Sequence, residues 1–163
     1  MTKSQDDLKA AFAGESQANR KYLAFAEKAD KEGYPQAAKL FRAAAAAETI
    51  HAMSHLRALG EIKSTSENLE AAADGEHYEA TRMYPDFIKD AEAEQDKVAL
   101  FSFNKALNAE KVHEILYREM KAALDKGEVF DYYLCPICGY IEKGSAPVKC
   151  PICGAPMEKF EKF

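Results

Sequence analysis

Two Glu-x-x-His segments lie on the apolar stripes of two long predicted helices, and no other feature constrains the fold as strongly. One pair is Glu48 and His51, and the other is Glu110 and His113. A spacing of three residues directs both side chains of a pair to one helix face. Apolar residues recur on the same faces at alternating steps of four and three, the pattern of helices that pack in a bundle. Charged side chains therefore occupy positions that a helical bundle normally gives to leucine or alanine.

Three more glutamates occupy equivalent positions on the other two predicted helices: Glu15 on the first, and Glu76 and Glu79 on the third. Burying an unpaired carboxylate costs several kcal/mol. Five such groups would cost more than the roughly 5–15 kcal/mol by which a whole domain is stable. No matching set of lysines or arginines follows the same stripes. Bound cations must therefore neutralise the carboxylates, and two iron ions in their divalent or trivalent states bracket the required charge.

These donors match a known type of metal site. One glutamate from each of two helices, with Glu-x-x-His from each of the other two, forms the dinuclear site of carboxylate-rich bundles. Such a donor set favours iron or manganese over copper, and its ligand number is high for zinc. Tyr22 and Tyr84 lie two turns from Glu15 and Glu76, where they can donate hydrogen bonds to the carboxylates. The predicted ligands are Glu15, Glu48, His51, Glu76, Glu79, Glu110 and His113.

The helical part of the chain is predicted as four helices. They cover about residues 4–31, 35–59, 66–94 and 96–124. Glycine or proline marks most of their ends, but no glycine separates the third helix from the fourth. Pro85 falls inside the third helix and predicts a kink or a local irregularity there. Long helices with short connections predict a mainly α protein built on a four-helix bundle.

Composition changes near residue 127. Two of the six prolines precede residue 125, whereas residues 131–163 contain the other four and all four cysteines. We therefore predict two domains, a ferritin-like bundle over residues 1–127 and a small metal-binding module over residues 131–163. The predicted core of the module consists of Tyr132, Tyr133, Tyr140, Phe160 and Phe163.

The four cysteines belong to two Cys-Pro-Ile-Cys-Gly segments, which we call the knuckles. Cys135 and Cys138 are in the first, and Cys150 and Cys153 are in the second. Two Cys-x-x-Cys pairs at this separation predict one tetrahedral four-thiolate metal site. A module of about thirty residues needs such a site in order to fold. The spacing favours equally a structural zinc site and an iron site that carries one electron.

Charge and hydropathy exclude several functions. The net charge is −5, from 22 basic and 27 acidic residues, without a long basic run, which argues against binding to nucleic acid. No stretch approaches 18 consecutive apolar residues, so no membrane span is predicted. The first eight residues are polar and do not resemble a secretory signal. We therefore expect a cytoplasmic protein with unbridged cysteines.

The combination of these motifs resembles the rubrerythrin family over nearly the whole chain. The segments that carry the resemblance are residues 13–18, Gly75-Glu76-x-x-Glu79, Met83-Tyr84-Pro85, both Glu-x-x-His pairs and the two knuckles. The resemblance implies a ferritin-like di-iron bundle and a rubredoxin-like module whose four cysteines bind one iron. It also implies a non-haem peroxidase of oxidative-stress defence that reduces hydrogen peroxide to water. Its electrons would come from NAD(P)H through a reductase and rubredoxin, and the rubredoxin-like centre would relay them.

The same resemblance implies a role for each ligand. Glu48 and Glu110 match bridging carboxylates, and Glu15 and Glu76 match terminal ligands. His113 matches a ligand to one iron. His51 and Glu79 match the two residues between which one iron moves when its oxidation state changes.

The predicted assembly state follows from the expected distance between the two metal sites of one chain. Residues 113–124 correspond to about 16 Å of helix, and the cysteines come after a further linker. The two metal sites of one chain are thus expected to lie too far apart for fast electron transfer. This favours a head-to-tail homodimer, and the short connection over residues 60–68 makes an exchange of helices between chains an alternative. Two other functions stay open: a ferritin-like ferroxidase or iron-handling protein with a structural four-cysteine site, and an electron-transfer or metal-storage module without turnover.

Overall fold

The computed structural model describes residues 2–163, which divide into two compact units. The first unit extends to Lys63 and contains two antiparallel helices, α1 (Lys3–Lys31) and α2 (Pro35–Leu59). The side chains buried along their line of contact are small, which lets the two helix backbones approach closely. They are Ala26, Ala29, Ala38, Ala45 and Ala52. Both helices have the predicted bounds to within one residue.

The second unit, Ser64–Phe163, contains the remaining helices and the cysteine module. Its helices are α3 (Thr65–Tyr78), α4 (Tyr84–Glu94) and α5 (Lys97–Ala123). Helices α3 and α4 are the two parts of the third predicted helix, and a π-helical turn over Glu79–Met83 joins them. Helix α5 packs against both parts.

Pro85 accounts for this π-helical turn. Proline has no N–H, so it cannot donate the α-helical hydrogen bond to the carbonyl four residues earlier. The chain widens just before it, and the N–H of Tyr84 bonds to the carbonyl of Glu79. The irregularity predicted at Pro85 is therefore confirmed. Turns of this type are frequent at functional sites, and this one begins at the predicted ligand Glu79.

The boundary between α4 and α5 forms without glycine. Gln95 adopts a left-handed conformation with φ of 58°, which a residue with a Cβ rarely does. The side chain of Asp96 then accepts hydrogen bonds from the N–H groups of Val98 and Ala99, both at 2.9 Å, and starts α5. A strong N-cap thus directly follows the strained residue.

The cysteine module is a three-stranded antiparallel sheet with its two knuckles. The strands are β1 (Tyr132–Leu134), β2 (Ile141–Lys143) and β3 (Glu161–Lys162), in the order β2-β1-β3. The buried core is smaller than predicted: Phe163 is 70% exposed, whereas Tyr140 is buried together with cysteines of both knuckles. The sulfur ligands themselves supply the core, because so short a sheet covers little else. The division into domains 1–127 and 131–163 stays a prediction.

Within residues 2–163, none of the helices is both long enough and apolar enough to cross a membrane.

Candidate metal centres

The first unit brings together three of the predicted ligands, which we call the first triad: Glu15, Glu48 and His51. One donor atom from each lies within 4.8 Å of the others. Nδ1 of His51 is 2.9 Å from Oε2 of Glu48. Both glutamates are half-buried, whereas the His51 side chain is 55% exposed. The sequence prediction for these three residues is consistent with one shared site.

A side chain one turn from Glu15 holds the two helices of the first triad in register. The amide of Asn19 donates to the carbonyl of Ala45 at 2.7 Å and to the hydroxyl of Thr49 at 2.9 Å. These contacts join the turn that follows Glu15 to the turn that carries Glu48. The sequence analysis gave Asn19 no role.

The second unit brings together the second triad: Glu76, Glu110 and His113. Their donor atoms again lie within 4.8 Å of one another. Nδ1 of His113 is 2.6 Å from Oε2 of Glu110 and 3.9 Å from Oε1 of Glu76. All three side chains are half-buried, and that of His113 is only 16% exposed.

The second triad has two carboxylates and only one imidazole to balance their charge. Burial, together with the charge and hydrogen bonding of Glu110, raises the pKa of Glu76 to about 7. The hydrogen bond from His113 lowers the pKa of Glu110. Two carboxylates this close must share a proton unless a cation lies beside them. The donor types and the charge deficit therefore both fit a bound metal ion.

Glu79 and Tyr84 lie near the second triad without belonging to it. Burial, and then the charge of Glu110, raise the pKa of Glu79. Burial, followed by the charges of Glu110, Glu79 and Glu76, raises the pKa of Tyr84. The hydrogen-bonding role of Tyr84 stays a prediction.

The two units repeat one arrangement of side chains. Tyr22 packs against Phe25 and Phe41, and Tyr84 packs in the same way against Phe87 and Phe103. Each of these aromatic residues is 62 positions from its counterpart, as are the Glu-x-x-His pairs, but Glu15 and Glu76 are 61 positions apart. The π-helical turn contains the inserted residue. This change of offset is the sequence signal that locates the turn.

The predicted ligands are less buried in the single chain than expected. The predicted ligands were expected in a dry interior, but within residues 2–163 no charged side chain is fully buried. Two packed helices enclose only the small side chains on their line of contact, and larger flanking side chains keep part of their surface exposed. The carboxylates of both triads are such flanking groups.

The four cysteine sulfurs converge on one point. Cys135 Sγ is 3.5 Å from Cys153 Sγ, and Cys138 Sγ is 3.5 Å from Cys150 Sγ. A tetrahedral site with metal–sulfur bonds of about 2.3 Å has sulfurs about 3.8 Å apart, so the separation fits a metal. The first cysteine of each knuckle is buried and the second is half-buried. Although burial raises the pKa of Cys150, the N–H groups of Cys153 and Ile152 lower it below its usual value.

A hydrogen bond joins the second triad to the four-cysteine site of the same chain. Nε2 of His113 lies 2.8 Å from the carbonyl oxygen of Gly139, the residue that follows Cys138. This contact requires a hydrogen on Nε2, so Nδ1, which contacts Glu110 in this structure, is the nitrogen that could bind a metal instead. Burial lowers the pKa of His113, but the hydrogen bonds to Glu110 and Gly139 raise it above its ordinary value.

The expectation that the two metal sites of one chain lie far apart is therefore wrong. A 3₁₀ turn over Leu124–Lys126 and Gly127, with φ of 65°, end helix α5. The module then returns along α5, and Val112 of that helix packs against the core of the module. Distance along a helix does not measure distance in space once the chain reverses.

Two family models match this chain. The family model for rubrerythrin matches residues 6–121, and that for the rubredoxin-like domain of rubrerythrin matches residues 133–161. The chain belongs to the rubrerythrin family. The family consists of oxidative-stress di-iron proteins, generally with peroxidase activity. The predicted fold class, mainly α with a ferritin-like domain and a four-cysteine rubredoxin-like module, is confirmed.

Individual rubrerythrin relatives match over almost the full chain. Nigerythrin of Nitratidesulfovibrio vulgaris is 40% identical, over 97% of this chain and 85% of the relative. Rubrerythrin-2 of Clostridium acetobutylicum is 34% identical, over 97% and 95%. The structure of fully reduced, all-ferrous nigerythrin matches with a TM-score of 0.62 and 39% identity, over 100% of this chain and 88% of that one. The Glu/His triads and the four-cysteine site are consistent with the iron cofactors of rubrerythrins.

Proposed function

We propose that this rubrerythrin is a peroxidase that reduces hydrogen peroxide to water with electrons relayed through its four-cysteine site. An NAD(P)H-dependent reductase and rubredoxin would supply the electrons, in the reducing cytoplasm that suits unbridged thiols. The observation that carries the proposal is the hydrogen bond from His113 to Gly139. It places a candidate ligand of one metal site in contact with the backbone of a ligand loop of the other.

Both triads, with Glu79, would hold the two irons. A single triad offers three donor residues, too few to hold two metal ions. In this assignment Glu48 and Glu110 would hold both ions, Glu15, Glu76 and His113 would each hold one ion, and His51 and Glu79 would alternate as ligands. The two irons, when bound, would supply the two electrons that reduction of one peroxide consumes. Tyr84 would keep its proton beside the carboxylates, because burial and their charge raise its pKa.

The relay depends on how His113 is held. Its Nε2–H donates to the Gly139 carbonyl, so one hydrogen bond completes a path from the loop of Cys138 to the imidazole. Gly139 has φ of +83°, a conformation that glycine adopts without strain. The knuckle can therefore turn its carbonyl to His113 while both of its sulfurs stay at the four-cysteine site.

The test is a coupled assay on the iron-loaded protein without oxygen. With NADH, the reductase, rubredoxin and peroxide present, we expect one NADH to be consumed per peroxide. A ferroxidase would instead oxidise ferrous iron without consuming NADH, and a storage protein would show no turnover. A colourless zinc-containing four-cysteine site that supports no electron transfer would contradict the relay.

Glu79 provides a prediction about the alternating ligand. We expect Glu79→Ala to lower peroxide turnover by about tenfold or more, because a carboxylate stabilises the harder ferric ion, while two irons remain bound. Turnover and iron content measured together test this expectation. Glu92→Ala, at an exposed position of α4, is the matched control and should behave as wild type. Unchanged turnover in Glu79→Ala would disprove the alternation.

We also propose a homodimer, and chain length favours an exchange of helices. Five residues, 60–64, connect α2 to α3 and can span at most about 18 Å. Helix α2 has 25 residues, which is about 37 Å. A ferritin-like bundle needs one long crossover between its helix pairs, and this connection is too short for it. Each bundle would therefore combine α1 and α2 of one chain with the remaining helices of its partner.

A longer connection should convert this dimer to a monomer. Inserting about 20 Gly/Ser residues after Ile62 provides enough chain to cross the bundle. We expect sedimentation to show a monomer that still binds two irons in its triads. The same insertion after Glu128, in the exposed linker to the module, should leave the dimer intact. A wild-type chain that sediments as a monomer with full activity would refute the proposed assembly.

A further inference from the structure

A groove of about 460 Å³ lies between helix α5 and the two knuckles, on a side of the four-cysteine site that the relay does not use. Phe101 and Lys105 of α5 line one wall. Ile137, Ile152 and Cys153 of the knuckles line the other. The groove belongs entirely to the second unit, and it brings a predicted metal ligand to an accessible surface.

The four-cysteine site is asymmetric with respect to this groove. Cys135 and Cys150 are buried, so their sulfurs offer no access from outside. The loop of Cys138 is joined to His113 through Gly139. Cys153 is half-buried and lines the groove. A donor in the groove would therefore reach the metal through Cys153, and electrons would leave towards His113 through the other knuckle.

The side chains that line the groove are suited to binding the surface of another protein. Phe101 is 65% exposed and Ile137 is 51% exposed, and an exposed apolar patch beside a redox site marks a place of interaction. Nζ of Lys105 lies 4.0 Å from the centroid of the Phe101 ring. In a chain with a net charge of −5, this positively charged group within an apolar groove favours a partner that has apolar side chains with a carboxylate at their rim.

We propose that this groove is the docking site of an electron-donor protein of the rubredoxin class. The proposal rests on the proposed function, because it requires that electrons enter at the four-cysteine site. Such a donor has a four-cysteine site of its own. The four-cysteine site of the present module has an apolar accessible side, which Ile137 and Ile152 form beside Cys153. Two surfaces of this kind can exclude water and bring the two metal sites close together.

Binding is measured first, without electron transfer. The protein is loaded with zinc, and rubredoxin is titrated into it by calorimetry. We expect Phe101→Glu and Lys105→Gln each to raise the Kd at least tenfold, and the Lys105 variant to weaken the salt dependence. Val98→Glu is the matched control, because Val98 is on the same helix, is 81% exposed and does not line the groove. All three substitutions change the net charge by the same amount, so an effect of total charge would appear in all of them.

Reduction is measured second, on the iron-loaded protein without peroxide. Reduced rubredoxin should reduce the four-cysteine site at least tenfold more slowly in the two groove variants, whereas dithionite should reduce all variants at one rate. Equal Kd values for wild type and groove variants would overturn the proposal. The proposal would also be overturned if NADH reduced the protein directly and the groove variants abolished that reduction. A shift between monomer and dimer caused by Phe101→Glu would overturn it as well. No measurement here involves peroxide. Failure of the docking proposal can therefore be distinguished from failure of the peroxidase proposal.

Discussion

Replacing His113 with glutamine is expected to slow the transfer of electrons from the four-cysteine site to peroxide by about 100-fold. His113 has two contacts that a glutamine cannot reproduce together: Nδ1 lies 2.6 Å from Glu110, and Nε2 lies 2.8 Å from the Gly139 carbonyl. The substitution removes a candidate metal ligand and the only direct hydrogen bond that the structure shows between the second triad and a knuckle within residues 2–163. Rapid mixing of the reduced protein with peroxide, followed at the red absorbance of the oxidised iron–thiolate site, measures this rate.

His51→Gln is the matched control for this prediction. His51 occupies the same position in the other Glu-x-x-His pair, but its side chain is 55% exposed and its ring contacts Glu48 through Nδ1. We expect about tenfold loss from the missing ligand and no additional loss from the relay. With iron content measured in both variants, equal rates in His51→Gln and His113→Gln would show that the hydrogen bond to Gly139 does not transmit electrons.

Removing the metal from the four-cysteine site is expected to unfold the module while the helices stay folded. The buried core of the module consists of two cysteines, Tyr140 and Ala155, and its three strands are two or three residues long. Metal binding to structural four-ligand sites contributes about 10 kcal/mol or more to folding, which this core cannot replace. The loss should therefore be complete at room temperature.

Hydrogen exchange measures this effect residue by residue. In the metal-free protein the amides of Cys135 and Cys150, which bond to the carbonyls of Tyr140 and Ala155, should lose their protection. Amides in the middle of α2 should retain theirs, with unchanged helical circular dichroism. Zinc should restore the protection of the knuckles without restoring the red colour. Protection of Cys135 that persists without any metal would contradict the prediction.

Most of the secondary structure could be predicted from local signals. The bounds of α2 follow from Pro35 and Gly60, because proline favours the first turn of a helix and glycine favours the residue after its end. The end of α4 was harder to place. Gln95 has no preference for the left-handed conformation that it adopts, and the packing around α4 and α5 outweighs its local cost.

The π-helical turn shows a different limit on what can be predicted from the sequence. Proline at position 85 predicts that the α-helical pattern is interrupted, because a hydrogen bond is missing. It does not predict whether the helix bends, breaks or widens, since these outcomes differ in how neighbouring side chains pack. Only the comparison of the two helix pairs, with its offset of 61 and then 62 residues, contains the information that one residue is inserted there.

The sequence by itself determined which donors this protein has. Side chains three residues apart on a helix must share a face, and the two cysteines of one Cys-x-x-Cys knuckle must lie close together, because both properties depend on covalent geometry over a few residues. The two Glu-x-x-His pairs are equivalent at that level. Only the tertiary structure decided that His113 contacts a knuckle. That contact depends on the chain reversal after α5 and on packing between segments distant in sequence, which no local pattern encodes.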